Sequence, residues 1–327
     1  LGYHLLLIPF VTIFSPLLGM KAAALLLAAG AVAAFYFILR KLRIPAALLW
    51  VAILATTQPF IFRINIARAP ALAEIFLFLG LLALFERRLR LLFVITLLFV
   101  WSYNAWPVLF VALLAVIAGE LLAVLGAGQR ETFANALRKF LRPLGVMSAA
   151  TAIGLVVNPY FPENLAFSWL HIVGIGLRNY QDIIGVGAEW YPYAVGDLLK
   201  DAPLAFLALI FSGTLFAACL RARKVAGAGL EKRFAQIFTA LILAGAFFIL
   251  TLKSRRNVEF LIPSMTLLSG LLFALISGER SLRGTLEELR RTPLFLAGTV
   301  SLAVLLTVVG GQGIGAAHRD LAGGYPW

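Results

Sequence analysis

The chain has 327 residues, 62% of them hydrophobic and 13% charged, with a mean hydropathy of +0.96. A soluble globular domain runs at ~45–50% apolar and ~25% charged, so a soluble enzyme, a secreted disulfide scaffold and a disordered chain are excluded and a polytopic membrane protein remains. The formal charge of +13 sits in short clusters between apolar runs, a pattern that orients a chain in a bilayer rather than one that binds nucleic acid.

In chain order, residues 5–18 come first. They are too short to cross a membrane and are interrupted by Pro9 and Pro16, so they read as an interfacial or re-entrant helix. A crossing needs ~20 mostly apolar residues, and ten segments are candidates: 21–39, 45–61, 70–85, 89–103, 105–126, 143–157, 202–220, 234–252, 258–277 and 293–311. The expected fold is therefore all-α, a single transmembrane domain over residues 1–327. It has about ten spans, an interfacial N-terminal helix, a long extracytoplasmic loop at 158–201 and an extracytoplasmic tail at 312–327.

Five basic clusters set the orientation: Arg40, Lys41 and Arg43; Arg87, Arg88 and Arg90; Arg130, Arg138, Lys139 and Arg142; Arg221, Arg223, Lys224, Lys232 and Arg233; and Arg280, Arg283, Arg290 and Arg291. All fall on one side if the spans alternate, and that side is cytoplasmic by the positive-inside rule. The remaining arginines are informative because the rule disfavours them. Arg63 and Arg68 lie in QPFIFRINIARAP, and Arg255 and Arg256 in TLKSRRNVEFLIP, both at outer ends of spans. Two readings stand: snorkelling or pairing with Glu, or a recess for an anion, since guanidinium forks match phosphate oxygens.

The loop 158–201 carries Glu163, Asp182 and Glu189 among dense aromatics and prolines. Too aromatic for disorder, it reads as an amphipathic surface segment between fixed turns at NPYFPEN and EWYPY. Aromatic rings with carboxylates suit a sugar cleft as well as an interfacial belt. Glu74, alone in an apolar run, is either a functional group or a partner of Arg63 or Arg68. Arg255 and Arg256 stand four and three residues before Glu259, so one helical turn can set both beside its carboxylate. The single Cys219 and the dispersed His4, His171 and His318 indicate no disulfide framework and no ligand cluster.

GYHLLLIPF at 2–10, a span ending in RKLR, RINIARAPALAE at 63–74, SRRNVEFLIP at 254–263 and the long loop before EWYPY together resemble the GT-C superfamily of membrane glycosyltransferases. Within it they look like the oligosaccharyltransferase catalytic subunit and the bacterial protein mannosyl- and aminoarabinose transferases. The resemblance covers most of the chain and is architectural. It implies transfer of a sugar from a polyprenyl-phosphate carrier to an acceptor on the outer face of a bacterial inner membrane. Arg63, Arg68, Arg255 and Arg256 would hold the lipid phosphate, and Glu74, Glu163, Asp182, Glu189 or His4 would supply the acid or base. Mg²⁺ or Mn²⁺ would suit carboxylate ligands. The family's acidic motif follows its first transmembrane helix; no DxD or DxE occurs in this chain, and that motif is expected before residue 1. The rival expectations are a non-catalytic integral subunit of a larger membrane assembly and, further off, a lipid or glycan transporter, which predicts discontinuous helices.

Overall fold

The computed structural model describes residues 1–126, 133–178, 183, 185–221, 230–277 and 293–322, and among them there is no strand. The helices are α1 (Gly2–Ile13), α2 (Pro16–Lys41), α3 (Ala47–Thr56), α4 (Gln58–Asn65), α5 (Pro70–Phe85), α6 (Leu89–Ser102), α7 (Pro107–Gly126), α8 (Phe133–Val156), α9 (Glu163–Trp169), α10 (Val195–Asp201), α11 (Pro203–Arg221), α12 (Leu230–Lys253), α13 (Val258–Ser277) and α14 (Pro293–Ala322). Proline stands in the first or second position of α2, α4, α5, α7, α11 and α14, where its missing N–H has no intrahelical partner to lose and its φ already suits a helix.

Each of the ten segments read as a span holds a helix, but the spans are fewer than ten by length and composition. Among the described residues, five helices are long and apolar enough to cross a membrane, or up to seven if each of two sharply bent pairs counts as one. The chain is thus a multi-pass, all-α membrane protein. One bent pair is α3 with α4, turned by 76°; the other is α10 with the start of α11, turned by 91°. The first break has a local cause. Pro59 has no N–H to give the Ala55 carbonyl, Thr57 is extended, and the Thr56 and Thr57 hydroxyls take over the Ala52 and Ile53 carbonyls, both at 2.7 Å. α14 crosses over this break; a Cβ at Gly313 would stand 2.5 Å from the Thr56 carbonyl oxygen, so only glycine permits the approach. Residues 312–322, expected in the tail, continue α14.

The basic end of the bundle is held by two similar corners. Arg43 and Arg87 both adopt left-handed backbone, with φ of 53° and 55°, closing α2 and α5. In each corner the next amide reaches back five residues, Ile44 to Leu39 and Arg88 to Ala83, both at 2.9 Å. This is the Schellman closure, usually given to glycine. Arg233 of α12 donates to the Leu42 carbonyl at 3.0 Å, and Arg87 reaches Glu120 of α7, so these clusters share one end.

α13 and α5 form the interior. α13 is nearly wholly buried and packs against α2, α3, α4, α5, α11 and α12; α5 has no exposed residue. At 1.5 Å per residue, α5 is about 24 Å long and α6 about 21 Å, against about 39 Å for α2. The short α5 and α6 end beside longer neighbours, and with the bend at α4 a recess lies at the end away from the basic corners.

Candidate functional site

The recess is a cleft of about 750 Å³ between α1, the ends of α6 and α8, α4, the 158–171 stretch, the turn at Ala188–Trp190 and the turn at Arg255–Asn257 before α13. Six of the nine sequence candidates line it: His4, Arg63, Arg68, Glu163, Glu189 and Arg256. Glu74 and Arg255 do not, and Asp182 lies outside the described residues.

At its floor, the turn of α4 buries Arg63. Its Nε donates to Glu259 Oε2 at 2.7 Å and its Nη1 to Glu189 Oε2 at 2.5 Å, with the Glu259 side chain wholly buried. Arg68, half-exposed, donates from Nη1 to Glu189 Oε1 at 3.3 Å. Burial alone would raise the Glu189 carboxyl. Arg63, which also hydrogen-bonds it, outweighs burial together with Arg256 and Arg68 and holds it below the ordinary glutamate range. Glu189 is therefore an ionised carboxylate at neutral pH.

Arg256 is engaged differently. Its Nη2 donates to the Tyr103 hydroxyl at 2.7 Å, and its guanidinium lies 4.1 Å from the centre of the Trp190 ring and 5.5 Å from that of Tyr103. Stacking orients the fork while leaving its remaining N–H groups available for an anion. Trp190 also packs on His171, which packs on Phe167. Trp101, fixed by its Nε1 to the Gly154 carbonyl at 3.0 Å, and Tyr160, whose amide closes a turn on Asn158 Oδ1 at 3.0 Å, complete an aromatic wall. Glu163, in the first turn of α9, and His4 of α1 face the cleft from exposed positions.

The expected pairing of Glu259 with Arg255 and Arg256 is not what forms. Arg63 arrives from α4 and takes Glu259 Oε2, while Arg255 turns outward to the Pro192 carbonyl at 3.0 Å and over the Tyr193 ring. The short 3-10 turn Arg255–Asn257 precedes α13, so the helical i,i+4 geometry is not set at Arg255. The partner expected for Glu74 also fails: its side chain is fully buried on α5 and neither oxygen has a hydrogen-bond partner, because Arg63 and Arg68 are directed at Glu189. Among the described residues, no group of three or more His, Cys, Asp or Glu side chains converges. The described residues do not form a Mg²⁺ or Mn²⁺ cage.

Three participants escaped residue-by-residue reading: Tyr103, Trp190 and Ser254, whose Oγ donates to the Glu189 carbonyl at 3.0 Å. Tyr103 and Trp190 lie in the aromatic runs WSYNAW at 101–106 and EWYPY at 189–193, which lack any hint of which arginine they would hold, and Ser254 carries no signal. No known protein family matches the chain, and neither does any curated protein.

Proposed function

We propose that the chain is a membrane glycosyltransferase of the GT-C type, moving a sugar from a polyprenyl-phosphate carrier to an acceptor at the extracytoplasmic face, within a multi-span topology whose basic corners face the cytoplasm. One observation carries this reading: Arg63, Arg68 and Arg256, from distant stretches of sequence, meet in one cleft with Glu163, Glu189 and an aromatic wall. A scaffold has no need of that convergence. In this reading Arg256 and Arg68 hold the carrier phosphate, and fixed positive charge stabilises the departing lipid phosphate as negative charge builds on it. The aromatic rings bound the sugar. Glu163 or His4, both facing the cleft, takes the proton of the acceptor hydroxyl or amine. Arg63, neutralised by Glu259 and Glu189, positions the floor.

The test is turnover of a polyprenyl-phosphate hexose by the full chain in lipid nanodiscs. Arg256→Gln should lower turnover by roughly 10²–10³-fold, the usual loss for one preorganised donor to a developing anion. Unchanged turnover in that variant, or none in the parent protein, would remove the reading.

A second reading, a lipid or glycan transporter, is favoured by the α3–α4 break, which lies about 15 Å from the start of α3 and so near mid-depth, where transporters interrupt helices. Flipping of a fluorescent carrier lipid without cleavage would select it.

A further inference from the structure

The arginine cluster of the cleft already holds an anion: Glu189. One carboxylate oxygen receives Arg63 Nη1 at 2.5 Å and the other Arg68 Nη1 at 3.3 Å, while the neighbouring ring of Trp190 covers the guanidinium of Arg256. Carboxylate and phosphate oxygens suit the same guanidinium forks. Arg63 has a second, wholly buried partner in Glu259. If Glu189 withdrew, three guanidiniums would face that one carboxylate on the floor, a charge balance suited to a phosphate. Glu163, exposed on α9, stays on the cleft wall.

The segment bearing Glu189 is fastened unevenly. On its C-terminal side the Arg255 amide donates to the Tyr191 carbonyl, Arg255 Nε to that of Pro192, and the Tyr193 amide to that of Thr251, at 3.0, 3.0 and 3.3 Å. At Glu189 itself the backbone has the Ser254 hydroxyl. On the N-terminal side, Gly185 adopts φ +65°, and among the described residues neither it nor Gly187 has an atom within 4 Å of where a Cβ would stand. Turning the glutamate about Tyr191 therefore breaks the Ser254 hydrogen bond, the 3.3 Å bond from the Tyr191 amide to the Ala188 carbonyl, the ion pairs and the Trp190 ring contacts.

We propose that Glu189 is the resident anion of this socket: its carboxylate stands where a ligand phosphate binds, and the ligand displaces it together with the Gly185–Trp190 segment. This rests on the phosphate-site part of the function proposed above. It gives Glu189 a role opposite in sign to that of a catalytic acid or base, since the side chain competes with the ligand. It also makes the socket selective for anions with more charge than one carboxylate.

The full chain in nanodiscs is titrated with farnesyl phosphate and, separately, with inorganic phosphate. Glu189→Gln should bind about tenfold more tightly, as expected when a self-occupied site is freed from a roughly 90% closed population. Ser254→Ala, which loosens the segment without altering charge, should bind about two- to threefold more tightly by the same population argument. Arg256→Gln should bind at least about tenfold more weakly, one lost charge-assisted contact. Trp190 fluorescence should change on ligand addition, as its ring leaves Arg256 and His171.

Weaker or unchanged binding in Glu189→Gln, with Arg256→Gln weakened, overturns the resident anion and leaves the phosphate site standing. No binding by any variant overturns both. Should Glu189→Gln not fold, Ser254→Ala decides, and an unchanged affinity there overturns the proposal. Inorganic phosphate binding as tightly as farnesyl phosphate, with Glu189→Gln still tighter, supports the displacement and assigns the socket to a free phosphate instead of a carrier lipid.

Discussion

Two arginine–glutamate assemblies stand at opposite ends of the bundle, and they differ in kind. At the basic end, Arg87 Nη2 meets both oxygens of Glu120 at 2.8 Å and its guanidinium lies 4.0 Å from the centre of the Phe140 ring, with both charged side chains about one-third exposed. That is one cation for one anion, wetted and screened. In the cleft, Arg63 is only 7% exposed in its side chain and binds two carboxylates, one of which is shared with a second arginine. The first arrangement neutralises a helix corner. The second gathers charge from three stretches of the chain around a cavity, more than neutralisation requires.

Substitutions sharpen the contrast. Arg63→Gln should be the most damaging to stability, by about 3–5 kcal/mol, because it strands the wholly buried Glu259 carboxylate; thermal unfolding in detergent reads this. A loss no greater than at Arg87 would erase the distinction between the two ends. Glu74→Leu should act in the other direction. Removing a buried carboxylate with no hydrogen-bond partner should raise the unfolding temperature, by an amount corresponding to about 1–3 kcal/mol. A lower unfolding temperature would mean that Glu74 has a stabilising partner.

Acid should weaken the cleft through Glu189. Glu189 is held below the ordinary glutamate value of 4.5, so the native protein binds fewer protons there than the unfolded chain. Its contribution is complete above 4.5 and is lost as pH falls through the depressed value. Unfolding temperatures recorded down that range should drop more for the parent protein than for Glu189→Gln. Arg87→Gln should have the smallest effect, about 0–1 kcal/mol, as for exposed pairs in general.

The positions of helices were readable because apolar runs and prolines are local signals. The broken span at 45–61 was half-written in the sequence: Pro59 is visible, but the 76° turn and the close passage of α14 over Thr56 are not. The short α5 and α6 read as crossings because composition reports polarity, while their reach depends on what surrounds them. In the cleft, Arg63, Arg68 and Arg256 stood out as arginines at the wrong end of spans. Their partners did not, since Glu259 looked committed to its own helix and Tyr103 meets Arg256 across 153 positions of chain. Spacing rules describe neighbours on one element, and this site is made of contacts between elements.

The interior position of α5 and α13 has a mechanical consequence. A bilayer that is thicker or thinner than its protein exerts mismatch strain on helices that touch lipid, tilting them or deforming the membrane around them. Glu259 and Glu74 ride on helices enclosed by other helices, and Arg63 is buried against them. The long outer helices, with α2 among them, carry the lipid-facing surface. Changes in acyl-chain length thus load the rim of the recess and spare its floor, so the charged cluster keeps its geometry in membranes of different thickness.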